Sequence, residues 1–256
     1  MKSIVAIRTH RWTEAEDRLL GQLRAAFGDD VVVVFHERAP DVTPGCEVVD
    51  LNAAWAQEQG LRTPRDWGWR CGDYFFYALR AARPDYDHYW LVEPDVLFLG
   101  DPAAFFARFA QVEDDILGLD PEPMNAAKRM FAASMPGMDH WRAIFALTRI
   151  SGRALDRLLP LRQENSKAPV GQMRFANDEA FVYSHAMAED DLSVGNLRDH
   201  APEWFEGAPF DTAPDMIEEA VRDRDDLRGK VLHPVHGKAA FKTEIAKRAT
   251  KRLNFF

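Results

Sequence analysis

The chain has 256 residues, of which 46% are apolar and 29% are charged, and its formal net charge at pH 7 is -9. A chain of this length and apolar content can bury the core of one large soluble domain. The acidic balance argues against a nucleic-acid-binding surface, which is normally basic, but not against an anionic small ligand, because a bound cation can reverse the local field.

The first half of the chain alternates apolar strands with amphipathic helices. Thr13 is a plausible N-cap for the first long helix, and Asp101 followed by Pro102 is a typical start for a later one. The predicted strands are Ser3–Ile7, Val31–Phe35, Val48–Leu51, Tyr89–Val92 and Asp115–Leu119, and the predicted helices are Glu14–Phe27, Arg70–Ala82 and Pro102–Phe109.

The second half of the chain is less periodic. Its spacing predicts a Met-rich loop over 121–137, a helix over 140–159, a long loop over 160–175 and a helix over 177–187. Long loops in a compact enzyme are often binding lids. The β-α-β-α alternation of the first half predicts an α/β fold, with a mostly parallel central sheet flanked by helices. A single domain spanning 1–256 is the economical interpretation.

Two carboxylates interrupt the apolar run from 89 to 99. Glu93 and Asp95 flank Pro94 at the end of a predicted buried strand. Residues two apart in an extended chain share a side, so both carboxylates can reach one cation. Open α/β sheets bind ligands beyond the carboxyl ends of their strands. Such a pair usually belongs to an acidic turn after a strand, but this apolar context favours a metal or diphosphate site.

A second polar cluster occurs late in the chain, where His233 and His236 flank Pro234 and Val235, with Lys238 close behind. The short apolar pair before His233 places it just beyond a strand or in a loop. A lone histidine is usually a solvated or core residue. Two histidines in this setting make metal binding about as favoured as that alternative, with His233 preferred as the ligand and His236 or Lys238 near a diphosphate.

The order of these features resembles the nucleotide-sugar glycosyltransferases with the GT-A fold. In that family the first strand and its loop meet the nucleotide, an acidic DxD-type motif holds a divalent cation against the donor diphosphate, and a late histidine often completes the metal shell. The matching segments here are 4–10, then Glu93-Pro94-Asp95, then His233 or His236. A Glu in the first position and the intervening proline depart from the common motif.

The resemblance implies a Rossmann-like GT-A fold, a donor that is a nucleoside diphosphate sugar, and Mn²⁺ or Mg²⁺ as cofactor. It assigns 1–120 to the nucleotide- and metal-binding half, and 121–256 to the acceptor half with the C-terminal metal histidine. Glu93, Asp95, His233 and His236 become metal-ligand candidates. The nucleotide and donor contacts fall on Arg8, Thr9, His10, Arg70, Asp73 and Lys238.

Asp178 and Glu179 are candidates for the catalytic base. One of them would face the acceptor hydroxyl in an inverting enzyme, and Asp178 is the preferred one. The alternative is structural, because Asn177 is a good N-cap and acids in a first helical turn complement the helix dipole. The acceptor would be a carbohydrate or a lipid-linked molecule.

The remaining features concern location and surface. Cys46 and Cys71 form no CxxC pair, the N-terminus has no signal-peptide pattern, and no segment is long enough to span a membrane, which indicates a cytoplasmic protein. The basic C-terminal segment could touch anionic lipid at the inner membrane face, although a terminal helix covering the sheet is the commoner arrangement. Its basic residues are Lys238, Lys242, Lys247, Arg248, Lys251 and Arg252, and its one acid is Glu244. Phe241, Ile245 and Leu253 share a predicted helical face, with Phe256 nearby.

Two other functions stay open at the level of sequence. A sugar nucleotidyltransferase of related architecture would normally carry a Gly-rich basic loop after the first strand, and residues 8–17 contain no glycine. A GT-A-like domain without turnover could serve as a binding subunit, and the Glu-Pro-Asp departure leaves that alternative open. Of the aromatic group Trp55, Trp67, Trp69 and Tyr74, one or two residues are expected to contact a ligand and the others to pack in the core.

Overall fold

The computed structural model describes residues 1–243 and residue 246, with the side chains of residues 127 and 128 left out. The strands, in chain order, are β1 (Ser3–Thr9), β2 (Val31–His36), β3 (Glu47–Leu51), β4 (His88–Val92), β5 (Leu97–Phe98), β6 (Ile116–Pro123), β7 (Trp141–Ser151), β8 (Val194–Asn196), β9 (Met216–Ile217), β10 (Val231–Leu232) and β11 (Val235–His236).

The helices surround these strands. They are α1 (Glu14–Phe27), α2 (Ala53–Glu58), α3 (Trp67–Arg70), α4 (Gly72–Ala82), α5 (Pro102–Ala107), α6 (Gly152–Ser166), α7 (Asp178–Ala188), α8 (Leu197–His200), α9 (Pro202–Phe205) and α10 (Glu218–Arg222). Three 3-10 helices cover Ala126–Ala132, Gln172–Arg174 and Asp225–Leu227. Residues 238–243 are also helical.

A seven-stranded sheet forms the centre of the fold, in the order β3-β2-β1-β4-β7-β6-β8. Neighbouring strands are parallel except that β7 runs antiparallel to both β4 and β6. This arrangement confirms the predicted α/β class with a mostly parallel sheet. The strands come from both the 1–120 and the 121–256 parts of the chain. Strand order reverses beside β1, where β2 lies on one side and β4 on the other, and such a switch point opens a crevice at the carboxyl edge.

Alternating side chains of each central strand enter two separate cores. Ile4 and Ala6 of β1 belong to the core under α4, α6 and α7, whereas Val5 and Ile7 belong to the core under α1 and α5. Burial on both faces explains why these strands read as continuous apolar runs. The two cores leave the carboxyl ends of β1 and β4 at a polar edge, where the apolar alternation stops.

The local signals at helix starts are confirmed. Thr13 caps α1 in a capping box with Glu16, Asp101 caps α5 with Pro102 in its first turn, and Asn177 caps α7. Each cap accepts a hydrogen bond from a backbone N–H that the helix itself leaves unpaired.

The prediction of a helix over 140–159 was wrong for residues 141–151, and the prediction of a loop over 160–175 was wrong for residues 160–166. Residues 141–151 form β7, the longest strand of the sheet, and α6 begins only after its N-cap Ser151 and continues through Pro160. Arg142 and Arg149 interrupt the apolar pattern of β7, which made its spacing resemble that of a helix. Arg149 is nevertheless buried, because its guanidinium donates to the carbonyls of Phe109, Val112 and Asp114.

Candidate metal centre and cleft

The carboxyl ends of β1 and β4 open onto a cavity of about 1280 Å³. The register of the two strands pairs Ile7 with Val92, so the residues that follow them emerge side by side. The cavity is bounded by the end of β1, the start of α1, the residues around α3, the Glu93-Pro94-Asp95 segment and residues 235–240. The predicted ligand edge of the sheet is therefore a cleft of substrate size.

Three predicted metal ligands meet in this region. One ligand atom from each of Glu93, Asp95 and His233 lies within 4.8 Å of the others. The separation between His233 Nε2 and Asp95 Oδ1 is 3.5 Å. Two connections bring His233 to the sheet: β10 pairs antiparallel with β5, and the N–H of Val235 donates to the Asp95 carbonyl at 2.8 Å.

The chemistry of this cluster fits a divalent cation. Nδ1 of His233 lies 2.6 Å from the Asp211 carbonyl, which can only accept, so Nδ1 donates there and Nε2, on the side of Asp95, is the nitrogen that would bind a cation. A histidine fixed in this way by a backbone carbonyl is typical of metal ligands. Asp95 Oδ1 is buried and has no hydrogen-bond donor among the described residues. Two carboxylates and one imidazole form a donor set that suits Mn²⁺ and, through the oxygens, Mg²⁺.

Arg18 of α1 holds the backbone of the loop formed by Glu93, Pro94 and Asp95, which we call the metal loop after its two candidate ligands. The N–H of Val96 donates to the Glu93 carbonyl at 3.0 Å, which closes a tight turn with Pro94 at its second position, where proline is favoured. Arg18 donates to the Pro94 carbonyl at 2.8 Å and pairs with Glu218 of α10. The turn explains why β4 stops at Val92, and it directs the Glu93 and Asp95 side chains to one site.

Arg8 connects the metal loop to the opposite wall of the cleft. Its Nη1 lies 2.9 Å from Glu93 Oε1 and 3.1 Å from Asp178 Oδ2. Its Nη2 donates to the carbonyls of Gly68 and Trp69 at 3.1 and 2.5 Å. Strand alternation explains the position, because Arg8 continues the side of β1 that carries Ile4 and Ala6. The predicted nucleotide contact of Arg8 stays a prediction, and in this structure its guanidinium is engaged by the protein.

The carboxylate of Asp178, like the guanidinium of Arg8, has several hydrogen-bond partners within the protein. Besides Arg8, its carboxylate accepts from the backbone N–H of Gly72 at 2.7 Å and from that of Glu179 at 2.9 Å. A glycine at position 72 leaves room for this network, because a Cβ there would lie 2.2 Å from Arg8 Nη1 and 2.5 Å from Asp178 Oδ2 and would displace these side chains. The two starts of α4 and α7 are thereby joined through one carboxylate.

Glu179 lies next to this network and differs electrostatically from Asp178. Burial, together with the nearby charge of Asp178, raises the pKa of Glu179 to about 8, and the charges of Arg142 and Arg8 oppose the shift. Burial also raises the pKa of Glu93, an effect that Asp95 increases and Arg8 opposes. A carboxyl group whose pKa lies near neutrality can exchange protons with a substrate under ordinary conditions.

Thr9 and His10, which were also predicted to contact the nucleotide, differ in exposure. Thr9 is buried and its hydroxyl lies 2.8 Å from Glu16 Oε1, which ties the end of β1 to the capping box of α1. His10 is exposed and lines the cavity. Their predicted nucleotide contacts are untested, but His10 is the one whose side chain faces solvent in the cleft.

Arg70 and Asp73 lie behind the cleft wall. Arg70 is buried and donates to the carbonyls of Gln172, Met173 and Phe175. Asp73 is fully buried and forms an ion pair with Arg162 at 2.8 Å. Both residues join elements around the cleft, and their donor contacts stay predictions.

His236 and Lys238 line the cavity but lie outside the three-residue cluster. Nε2 of His236 contacts Asp215 Oδ1 at 3.1 Å, and Lys238 is exposed at the start of the terminal helical segment. Phe241 and Lys242 are described as part of that segment. The residues of the predicted basic tail that lie outside the described part of the chain are Glu244, Ile245, Lys247, Arg248, Lys251, Arg252, Leu253 and Phe256.

Among the four aromatic candidates, Trp69 is 70% exposed at the cavity wall, whereas Trp67 and Tyr74 are buried and Trp55 packs against the core. Sequence reasoning missed Arg18 and Arg142. Arginines in a helix or a strand are common on surfaces, and no local pattern distinguishes these two. Their contacts are with residues far away in the sequence: Arg18 with Pro94 and Glu218, and Arg142 with Glu122.

The comparisons with known proteins add little to this geometry. No family model matches the chain, and no curated protein matches it. One similar solved structure is a Bacillus anthracis protein described as a glucose-1-phosphate thymidylyltransferase, crystallised with sucrose. It has 9% identity and a TM-score of 0.44, and the match covers 77% of this chain and 86% of that one. At that TM-score the similarity carries no functional argument, so the α/β class rests on the chain's own sheet. Within the described residues, no helix is long and apolar enough to cross a membrane.

Proposed function

We propose that this protein is a divalent-cation-dependent glycosyltransferase whose donor is a nucleoside diphosphate sugar. The convergence of Glu93, Asp95 and His233 beside a cavity of about 1280 Å³ carries the proposal. These residues come from distant parts of the chain and meet at the switch point of the sheet, where open α/β folds bind ligands. The donor set favours Mn²⁺ or Mg²⁺.

The chain's residues would divide the work as follows. Asp95 and His233 would hold the cation directly, and Glu93, which pairs with Arg8, would share its carboxylate between the cation and that arginine. A divalent cation in this position supplies charge neutralisation for a departing diphosphate. Lys238, exposed on the cavity wall, can place an ammonium on a diphosphate oxygen.

Glu179 is the better candidate for the base that accepts the proton of the acceptor hydroxyl. The carboxylate of Asp178 already accepts from Arg8 and from two backbone N–H groups. Glu179 has a pKa of about 8, close to the value at which a general base combines availability with proton affinity. Asp178 then serves as the group that orients Arg8 and the start of α7.

The two alternatives predict different behaviour. A nucleotidyltransferase needs a phosphate-binding loop after β1, but this loop contains no glycine and is closed by the capping box of Thr13 and Glu16. A binding subunit without turnover would hold the nucleotide and cation but would not hydrolyse or transfer the sugar. Cation-dependent hydrolysis of a nucleoside diphosphate sugar without acceptor distinguishes a working enzyme from both.

The first experiment is a thermal-shift screen of UDP, GDP and their sugars with and without Mn²⁺, followed by calorimetry. A ligand at 100 times its dissociation constant adds about 2.7 kcal/mol of stability. Asp95→Asn and His233→Ala should abolish the Mn²⁺-dependent part of nucleoside diphosphate binding. Asp190→Asn, the same substitution at an exposed carboxylate, serves as the matched control. Unchanged metal dependence in the Asp95 variant would refute the proposed site.

A further inference from the structure

An exposed apolar cluster lies outside the cleft. Of the five large apolar side chains that are exposed in the described part of the chain, three are Trp69 at 70%, Met173 at 49% and Met130 at 48%. Most surface apolar residues occur singly and need no explanation. Here, three contacting segments each present one.

Arg70 and a backbone bond join the three segments. Nη1 of Arg70 lies 3.7 Å from Met173 Sδ, its guanidinium carbon lies 5.9 Å from the centre of the Phe131 ring, and it follows Trp69 in the chain. The N–H of Asn177 donates to the Phe131 carbonyl at 3.1 Å. Residues 65–70, 129–131 and 172–175 thus form one surface, which we name the arginine–methionine rim.

The rim is basic on an acidic protein. Its three segments carry four arginines and one acid, Asp66, whereas the chain as a whole has a net charge of -9. Three of the arginines, Arg65, Arg129 and Arg174, are exposed. Arg65 lies 3.9 Å from Asp66, both side chains being largely exposed. Exposed arginines interleaved with Trp and Met side chains give a surface that is cationic and apolar together.

The cleft does not account for this surface. Trp69 lines the cavity, but Met130 and Met173 do not. We propose that the arginine–methionine rim is a contact surface for an anionic phospholipid bilayer. Trp is favoured at the boundary between water and lipid, and arginines near an anionic leaflet are attracted to its negative surface potential. The proposal is independent of the glycosyltransferase proposal and of the basic C-terminal segment.

The rim continues along the chain into α7. Residues 172–175 lead directly into Asn177, the N-cap of the helix that carries Asp178 and Glu179. Two or more weak contacts are needed for stable surface attachment, and the rim supplies both an apolar and a charged one.

The test is co-sedimentation of the full chain, without nucleotide or metal, with vesicles of phosphatidylglycerol and phosphatidylcholine in equal parts and with vesicles of phosphatidylcholine alone. The protein should sediment with the anionic vesicles. Replacing Arg65 and Arg174 by Gln should weaken the partition coefficient about fivefold each. Trp69→Ser should weaken it about tenfold by removing buried apolar area.

Met187→Ser is the matched control, because Met187 is 43% exposed but lies on α7 outside the rim, and its variant should bind as the wild type does. Circular dichroism and melting curves identify any variant that fails to fold. Failure of the wild type to bind anionic vesicles would overturn the proposal. So would binding that survives the rim substitutions but is lost on reversing the charges of Lys247 and Lys251, since the contact would then belong to the C-terminal segment.

Discussion

Replacement of Glu179 by Gln should affect the stability of the fold and the proposed sugar transfer in opposite directions. Burial raises the pKa of Glu179 to about 8, so the folded protein holds a proton there that the unfolded chain releases near pH 4.5. Glutamine resembles the protonated acid in shape and hydrogen bonding but cannot lose the proton. We expect Glu179→Gln to abolish sugar transfer while stabilising the fold at alkaline pH.

The sign and size follow from proton linkage. A group whose folded pKa is raised contributes stability that is fully present below the unfolded pKa and is lost as pH rises through the folded pKa. With a folded pKa of about 8, the wild type should lose roughly 2 to 3 kcal/mol between pH 6 and pH 9 through Glu179 alone. The Gln variant should lack this loss.

Urea unfolding at pH 6 and pH 9, in the presence of a chelator, measures the effect as the difference between wild type and variant. Other titrating groups contribute equally to both proteins and cancel. Glu164→Gln is the matched control, since Glu164 is exposed on α6 and pairs with Lys167. Parallel pH dependence for wild type and Glu179→Gln would refute the raised pKa and with it the argument for Glu179 as the base.

Two further predictions concern the buried interior. Asp73→Asn should cost about 3–5 kcal/mol in urea unfolding, because it leaves the buried Arg162 guanidinium without its carboxylate; a loss below 1 kcal/mol would contradict this. Burial raises the pKa of the Cys71 thiol to about 12, so Ellman's reagent at pH 8 should leave Cys71 unmodified in the folded protein and reach it only in urea, whereas the half-buried Cys46 reacts natively. Rapid modification of both thiols without urea would show that Cys71 is accessible.

Much of the fold could be predicted from local sequence. The apolar runs of β1, β2 and β4 and the caps Thr13, Asp101 and Asn177 act over a few residues, so they can be identified without knowing the neighbours. The parallel order could be inferred only as a class, because strand pairing depends on connections that no local pattern encodes.

The error at β7 has a physical cause. Residues 141–151 are buried on both faces, so no polar side alternates with an apolar one. Arg142 and Arg149 supplied a false helical spacing. Their charges are tolerated in a strand because Arg149 donates to three carbonyls and Arg142 lies 3.6 Å from Glu122. Such compensation is tertiary and cannot be deduced from spacing.

The candidate site was predictable in part. Glu93 and Asp95 were found because they break an apolar run at a strand end, and His233 because two histidines flank Pro-Val. The convergence of these residues depends on the pairing of β10 with β5 and on the Val235 bond to Asp95. The contact between Arg8 and Glu93 depends on the register that pairs Ile7 with Val92, which is likewise set by the assembled sheet.

The contact between Glu93 and Arg8 accounts for a glutamate, rather than an aspartate, at the first position of the metal loop. A glutamate reaches one methylene further than an aspartate, and Glu93 uses that reach to lie 2.9 Å from the Arg8 guanidinium while the shorter Asp95 stays beside His233. Removing Arg8 would leave two carboxylates, those of Glu93 and Asp178, without their shared buried counter-charge. The arginine thus ties Glu93 of this loop to the helix that carries the proposed base.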